Sequence, residues 1–308
     1  MSFPIEDKLV IAVASSALFD LTESDAVFQR DQNEYRQYQR ENQDRILDRG
    51  VAFPFIRRFL NLNRAMHGMN PVEVVLLSKN DTDTGLRVFK SIQHYGLDIS
   101  RAAFTSGKSP FKYIPAFNVS LFLSADQSDV KAAINAGFAA GTVLKTVFND
   151  DEKDHELRIA FDFDGVIADD EAETIYQQTG NIDKFHDSES QKAGVPHDPG
   201  PLTGLFQKLA FLQKLELKYE SEHHDYKRML RTAIVTARNA PSHERVVTTL
   251  RSWDVTVDET FFLGGIQKSR ILEIFHPHIY FDDQRLHLDA SAGAVPSVHI
   301  PFGITNRK

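Results

Sequence analysis

The sequence predicts an α/β protein built on parallel, doubly wound sheet in two successive halves. Three observations carry that expectation. Short apolar runs of strand length alternate along the chain with stretches of helical periodicity, the pattern of repeated βα units. The 308 residues are enough for two domains, each with its own core. The stretch from Asn149 to Glu156 is entirely polar and interrupts the alternation midway, so the expected domains are 1–150 and 151–308.

Leu9 to Ala14 reads as the first buried strand. The Gln-, Arg-, Glu- and Asp-rich stretch from Glu23 to Arg49 is predicted helical. Phe53, Ile56, Phe59, Leu60 and Leu62 then give an apolar stripe at helical spacing. Pro71 precedes a second strand, Val72 to Leu77. Residues 84–95 read as a helix closed by Gly96, and strands follow near Ala102–Thr105 and at Val119–Leu123. The second half repeats the rhythm: a strand at 158–163, a mostly helical insertion, a strand at 232–236, a helix at 242–251, and strands near 260–263 and 278–281. Within the insertion, Leu205, Phe206, Leu209, Leu212 and Leu215 mark one helix, and His197 to Pro201 marks the loop before it.

Composition narrows the function classes. The chain is 42% hydrophobic and 25% charged, as soluble globular proteins are. Its formal charge of −8, with no long basic run, argues against nucleic-acid binding by phosphate neutralisation. The absence of cysteine excludes disulfides, thiolate zinc sites and cysteine nucleophiles. The apolar piece Leu9–Phe19 lacks a basic flank and is too short to cross a bilayer. A cytoplasmic enzyme or binding protein is the expectation, with no membrane partner.

Candidate chemistry sits at predicted strand ends. The run Arg158–Phe161 leads into Asp162, Asp164 and Gly165, two carboxylates at alternate positions and a glycine where the chain turns. Open α/β sheets place ligands at that carboxyl edge, although Asp and Gly are also ordinary turn formers. Thr236 ends a second strand, Lys268 follows a strand and a glycine pair, and Asp282-Asp283 ends a fourth. Singly these read as a helix cap, a solvated lysine and a turn; four in this order, each at a strand end, are hard to obtain by accident. Gly107-Lys108-Ser109 fails as a phosphate loop because Ala102 stands where a glycine is needed. His223-His224-Asp225 lies in a very polar segment and reads as a solvated loop. Arg238 and Asn239 follow Thr236 closely enough to touch phosphate or substrate.

The order DxD, Thr, Lys, DD resembles the four motifs of the haloacid dehalogenase-like (HAD) phosphohydrolases. More closely, LVIAVASSALF, SGKSP, LFLSAD, FDFDGV, VTARN, LRSW and HPHIYFDDQ are similar to the cytosolic 5′-nucleotidase type I family, over nearly the whole chain. One departure is Phe163 and Gly165 where animal members carry Gly and Ala; both acids are kept. The resemblance implies a HAD-like Rossmannoid sheet with a helical cap inserted at about 170–231. It also implies hydrolysis of nucleoside 5′-monophosphates, AMP being the first candidate, to nucleoside and phosphate. Asp162 would attack phosphorus and form an aspartyl-phosphate, and Asp164 would serve as acid and then base. Thr236 and Lys268 would bind the phosphoryl group, Lys268 also steadying the nucleophile, with Arg238 and Asn239 as further substrate contacts.

Charge counting points to a cation. Asp162, Asp164, Asp282 and Asp283 bring four negative charges against one positive charge on Lys268. Each like-charge pair near ~4 Å would cost about 4 kcal/mol at an effective dielectric of ~20. A hard divalent ion relieves this, and Mg²⁺ is the usual choice beside phosphate. The resemblance implies ligation by Asp162, the Asp164 carbonyl and Asp282, with Asp283 farther out. The cap is expected to read the nucleoside through Glu171–Phe185 and the stretch around His197–Phe206. Two alternatives stay open: a phosphatase of another small phosphoester, and a nucleotide-binding sensor without turnover. Assembly into a homo-oligomer also stays open.

The first half reads as a degenerate copy of the second. Val10–Phe19 lies over Arg158–Ile167 at constant offset, placing Ala14 at Asp162 and Ser16 at Asp164. Farther on, Gly50 matches Gly200, Leu77–Asn80 falls on Thr236–Asn239, Ser106-Gly107 on Gly264-Gly265, and Ser124-Ala125 on Asp282-Asp283. The apolar pattern is kept while the acids are missing.

Overall fold

The computed structural model describes residues 4–146 and 149–307, without the side chains of residues 25, 28, 29, 32, 33 and 36. The chain forms two compact units, Met1–Phe138 and Ala139–Lys308.

The first unit runs β1 (Leu9–Val13), α1 (Ser15–Leu18), α2 (Thr22–Arg30), α3 (Gln32–Glu41), α4 (Phe53–Ala65), β2 (Val72–Ser78), α5 (Thr82–His94), β3 (Arg101–Phe104), β4 (Val119–Ser124) and α6 (Gln127–Asn135). Its strands lie in the order β3-β2-β1-β4, all parallel. β1 and β2 are buried at every position, which explains why they are apolar except at Glu73 and Ser78: a parallel sheet covered on both faces needs apolar residues on both. The stripe on α4 buries Phe53, Ile56, Phe59, Leu60 and Leu62. The polar stretch from Glu23 splits into the two helices α2 and α3 instead of one.

The second unit runs β5 (Ala140–Val143), β6 (Leu157–Phe161), α7 (Glu171–Thr179), α8 (Ile182–Gln191), α9 (Thr203–Glu222), β7 (Leu230–Thr236), α10 (His243–Ser252), β8 (Glu259–Phe262), α11 (Lys268–Phe275), β9 (Ile279–Asp282), α12 (Arg285–Ser291) and β10 (Ser297–His299). Its order is β5-β10-β9-β6-β7-β8, parallel except for β5 against β10. That antiparallel pairing explains why the division falls at 138/139 and not at 150/151. The polar stretch 149–156 is a loop inside the second unit, not a linker.

Within the insertion the helices have different jobs. α9 packs on the sheet, with Phe206 edge-on to Phe161 at 5.2 Å. The Glu216 carboxylate of α9 accepts from the backbone N–H groups of Met229 and Leu230 as β7 begins. α7 and α8 are therefore the elements added beyond the sheet-covering layer.

Each unit, taken by itself, repeats the same internal bonding. The strand order β3-β2-β1-β4 corresponds to β8-β7-β6-β9. Gly50 N–H donates to Leu18 O as Gly200 N–H does to Ile167 O. Leu47 N–H donates to Ser91 Oγ as His197 N–H does to Thr249 Oγ1. Register refines the expected matches by one residue. Leu9 pairs with Val72 and Leu157 with Leu230, so Ser78, not Leu77, stands at Thr236. Asn80 accordingly stands at Arg238; its N–H donates to Ser78 Oγ as Arg238 N–H does to Thr236 Oγ1.

Candidate active site

Four parallel strand ends bring the predicted residues to one edge of the second unit. β6 ends at Phe161, and Asp162 extends it by one bond, its N–H donating to Phe281 O at 2.8 Å. The Asp162 side chain is buried; its Oδ1 accepts from Phe163 N–H at 2.7 Å and its Oδ2 lies 2.8 Å from Lys268 Nζ. The chain then turns through Gly165 at φ +70°, where an added side chain would meet the Asp283 carboxyl. On β7, Thr236 is buried and its Oγ1 accepts from Arg238 N–H at 3.2 Å. Accepting uses a lone pair only, so the hydroxyl hydrogen is still a donor. Lys268 opens α11 and bridges the acids, 2.8 Å from both Asp162 Oδ2 and Asp282 Oδ2.

The two acids at the end of β9 have different surroundings. Asp282 accepts from Lys268 Nζ, the Tyr280 hydroxyl and Gln284 N–H, and its Oδ2 lies 3.2 Å from His287 Nδ1. Burial alone would raise its pKa, but Lys268 and these donors hold it below the usual carboxylate range. Asp283 receives one bond, from Thr305 Oγ1 to Oδ2 at 2.8 Å, while its buried Oδ1 has no partner. Burial, with repulsion from Asp282 and Asp162, pushes Asp283 up to about 9. Asp162 is raised to about 7 for the same first reason, against the pull of Lys268.

Those shifts test whether a divalent cation fits. One lysine does not neutralise three buried carboxylates, and an orphaned, buried Asp283 Oδ1 is an oxygen ligand without a donor. Oxygens of Asp162 and Asp282 also lie within 4.8 Å of a His287 ring nitrogen. The Lys268 ammonium already lies between Asp162 and Asp282, whereas the buried Asp283 Oδ1 has no donor.

Arg238 is bound to the second carboxylate of the pair. Its Nε and Nη2 grip the two Asp164 oxygens at 2.7 Å each. Its Nη1 donates to Glu189 and to Ser242 O, and its Nη2 lies 3.1 Å from His197 Nε2. The guanidinium lies between the Phe163 and Phe185 rings, 5.4 Å from each centroid. Four of its five N–H groups are thus committed to Asp164, Glu189 and Ser242, and the fifth faces His197. Asn239 remains near the edge, its Oδ1 3.0 Å from His186 Nε2.

Of the stretches expected to meet the nucleoside, Phe206 is in the core, and Glu171 and His197 are engaged with Lys192, Arg245 and Asp169. Sequence reasoning missed Tyr280, His287, Thr305, Glu189 and Arg245. Tyr280 had a signal, standing two residues before Asp282 on the same strand face; Glu189, in a polar helix, had none. Gly107-Lys108 forms a turn hydrogen-bonded to Lys79 and Thr105, and His223 stacks on Tyr219. A cavity of about 450 Å³ lined by Arg158, Arg231 and Phe275 lies at the amino ends of β6 to β8, away from the acids.

Fold and site together define a Rossmannoid α/β unit with a carboxylate cluster, a hydroxyl and a lysine at the carboxyl edge of its parallel strands. A family model described as 5′-nucleotidase matches residues 1–307, and the chain belongs to that family. It is 35% identical over 293 residues to human cytosolic 5′-nucleotidase 1B, covering 93% of this chain and 47% of the relative. The chain thus spans about half the length of that curated relative. No solved structure matches it. Among the described residues, no helix is long and apolar enough to cross a membrane.

Proposed function

We propose that the second unit is a Mg²⁺-dependent phosphomonoesterase that hydrolyses nucleoside 5′-monophosphates, with AMP the first substrate to try, in the cytosol. The observation that carries the reading is Asp162: buried at a strand end, aimed by Lys268 and Phe163 N–H, with Asp164 two residues on.

In the first step an Asp162 oxygen attacks phosphorus in line while the bond to the 5′ oxygen breaks. Asp164 gives that oxygen a proton, and the nucleoside leaves. Thr236 O–H and Lys268 Nζ stabilise the phosphoryl oxygens as charge spreads over them. In the second step Asp164, now a carboxylate, takes a proton from water as the water attacks phosphorus. The phosphorus–Asp162 bond breaks and inorganic phosphate leaves. Asp162, the Asp164 carbonyl and Asp283 Oδ1 would hold the cation, which supplies charge neutralisation beside the phosphate. Asp282 anchors Lys268.

The test is phosphate release over a panel of nucleoside monophosphates and simple sugar phosphates. Asp162→Asn should abolish turnover, because an amide cannot form the acyl-phosphate; near-normal AMP hydrolysis by that variant sinks the mechanism. A preference for a sugar phosphate would replace the nucleotide reading while keeping the chemistry. We further infer that the first unit is a degenerate copy of the second, on the strength of the shared strand order and the matched hydrogen bonds.

A further inference from the structure

We infer that Glu189 and Arg238 are positioning residues for Asp164, so that the helix added beyond the sheet layer sets the aim of the group that protonates the leaving oxygen. The inference rests on the reading of Asp164 as that acid. Asp164 follows a strand, with Gly165 beside it at positive φ, so its backbone alone does not fix its carboxyl. What fixes it is the two-pronged contact from Arg238, a geometry that sets both distance and plane.

Arg238 is itself over-determined. Two aromatic rings flank its guanidinium, and Glu189 of α8, 1% exposed, takes the edge turned away from Asp164. Glu189 is held in turn by Arg245 of α10, whose Nη1 donates to Glu189 Oε1 at 2.8 Å. Arg245 also reaches Glu171 of α7 and the carbonyl of Val195. A continuous chain of buried hydrogen-bonded charges therefore runs from α10 and α8 to the acid, and the partly exposed Glu171 of α7 joins it only at Arg245.

The first unit supplies an internal comparison. There Asn80, at the place of Arg238, donates its side-chain amide to Ser15 Oγ at 2.8 Å, one residue before the Ser16 that stands at Asp164. The eighth residue of α3 is Gln39, where the eighth of α8 is Glu189. Gln39 is buried with neither amide atom partnered. Leu47 stands at His197. Arg87, at the place of Arg245, is kept and still donates to the Arg45 carbonyl, as Arg245 does to that of Val195. Where the acid is gone, the residues that aim it are gone too, while the arginine that ties the loop to the helix remains.

The experiment separates aiming from folding. AMP and its analogue with sulfur in place of the bridging 5′ oxygen are compared in single turnover with enzyme in excess, following nucleoside or thiol release. A thiolate leaves without protonation, so the ratio of the two rates reports the acid alone. Asp164→Asn calibrates it and should slow AMP by about 10²- to 10⁴-fold while sparing the thio analogue. Glu189→Gln should slow AMP by roughly 10- to 100-fold and leave the analogue within about twofold. Glu171→Gln, which loosens Arg245 but not Arg238, should leave the ratio unchanged. If Asp164→Asn shows no selective loss, the reading of Asp164 as the acid fails. If Asp164→Asn shows it and Glu189→Gln slows both substrates equally, or neither, the positioning role is overturned alone.

Discussion

Removing the cation should make stability depend on pH in a direction set by Asp162 and Asp283. Their carboxyls titrate at about 7 and about 9 in the fold, against ~3.9 for an unfolded aspartate. Both folded values lie above the unfolded one, so the folded state binds the extra protons. Their contribution to stability is complete below about pH 4 and is lost as pH rises toward 7 for Asp162 and 9 for Asp283. The slope is about 1.4 kcal/mol per pH unit for each group. From about pH 5 to about pH 7, one such group costs the cation-free protein on the order of 3 kcal/mol. At roughly 2–4 °C per kcal/mol this is a fall in Tm of about 5–10 °C. Bound Mg²⁺ takes the place of the protons, so the fall should disappear in its presence. Thermal unfolding in EDTA and in saturating Mg²⁺, at steps from about pH 5 to about pH 8, measures the gap between the two Tm values. Asp283→Asn removes one titration and should flatten the EDTA curve. A gap that stays constant or narrows with rising pH refutes the assignment of these carboxylates to a cation.

Activity should vanish with EDTA and return with Mg²⁺, while Ca²⁺ should restore little, because Ca²⁺ favours bidentate carboxylates and would occupy both Asp162 oxygens; equal rates with the two ions contradict this. Gly50→Ala should destabilise the first unit by about 1–3 kcal/mol, since its Cβ would lie 2.7 Å from Ala17 O and 2.8 Å from the Leu18 carbonyl carbon, backbone atoms with little room to give. Chemical denaturation checks it, and an unchanged midpoint removes that packing argument.

Much of the sheet was legible because parallel strands covered on both faces must be apolar throughout. β1, β2, β6 and β7 accordingly stood out as mostly apolar runs, with Glu73, Arg158 and Arg231 near their amino ends, and the residues just past such runs were candidates for the edge. The short strands were harder. β5, Ala-Gly-Thr-Val, has neither the length nor the bulk to announce itself, and its partner β10 lies more than a hundred residues away. Its pairing moved the division of the chain. The partners of Arg238 and Asp283 were illegible for a different reason. An arginine two residues after a strand-end threonine does not announce that its donors go to Asp164 and Glu189, and Glu189 is distant in sequence. Likewise, nothing in an adjacent pair of aspartates tells which one the lysine, tyrosine and histidine will saturate.

The two units show which residues the fold requires and which the chemistry requires. Gly50 and Gly200 are both kept, because in each unit the chain crosses closely over the backbone that follows the first strand. The left-handed pair Ser106-Gly107, at φ +49° and +89°, keeps the conformation of Gly264-Gly265 at +54° and +90°. Ser91 and Thr249 each tie the loop before α4 or α9 to a helix through the same hydroxyl contact. These features close turns and satisfy buried N–H groups, so losing them costs stability wherever they occur. The acids behave differently. A buried carboxylate is expensive to keep unless something uses its charge, and Ala14 and Ser124 show the first unit without the costly group at two of the strand ends. By the same reasoning, the retention of Asp162, Asp282 and Asp283 in the second unit, two of them raised in pKa by burial, is a standing cost to stability. An unused site would be expected to lack it, as the first unit does at Ala14 and Ser124.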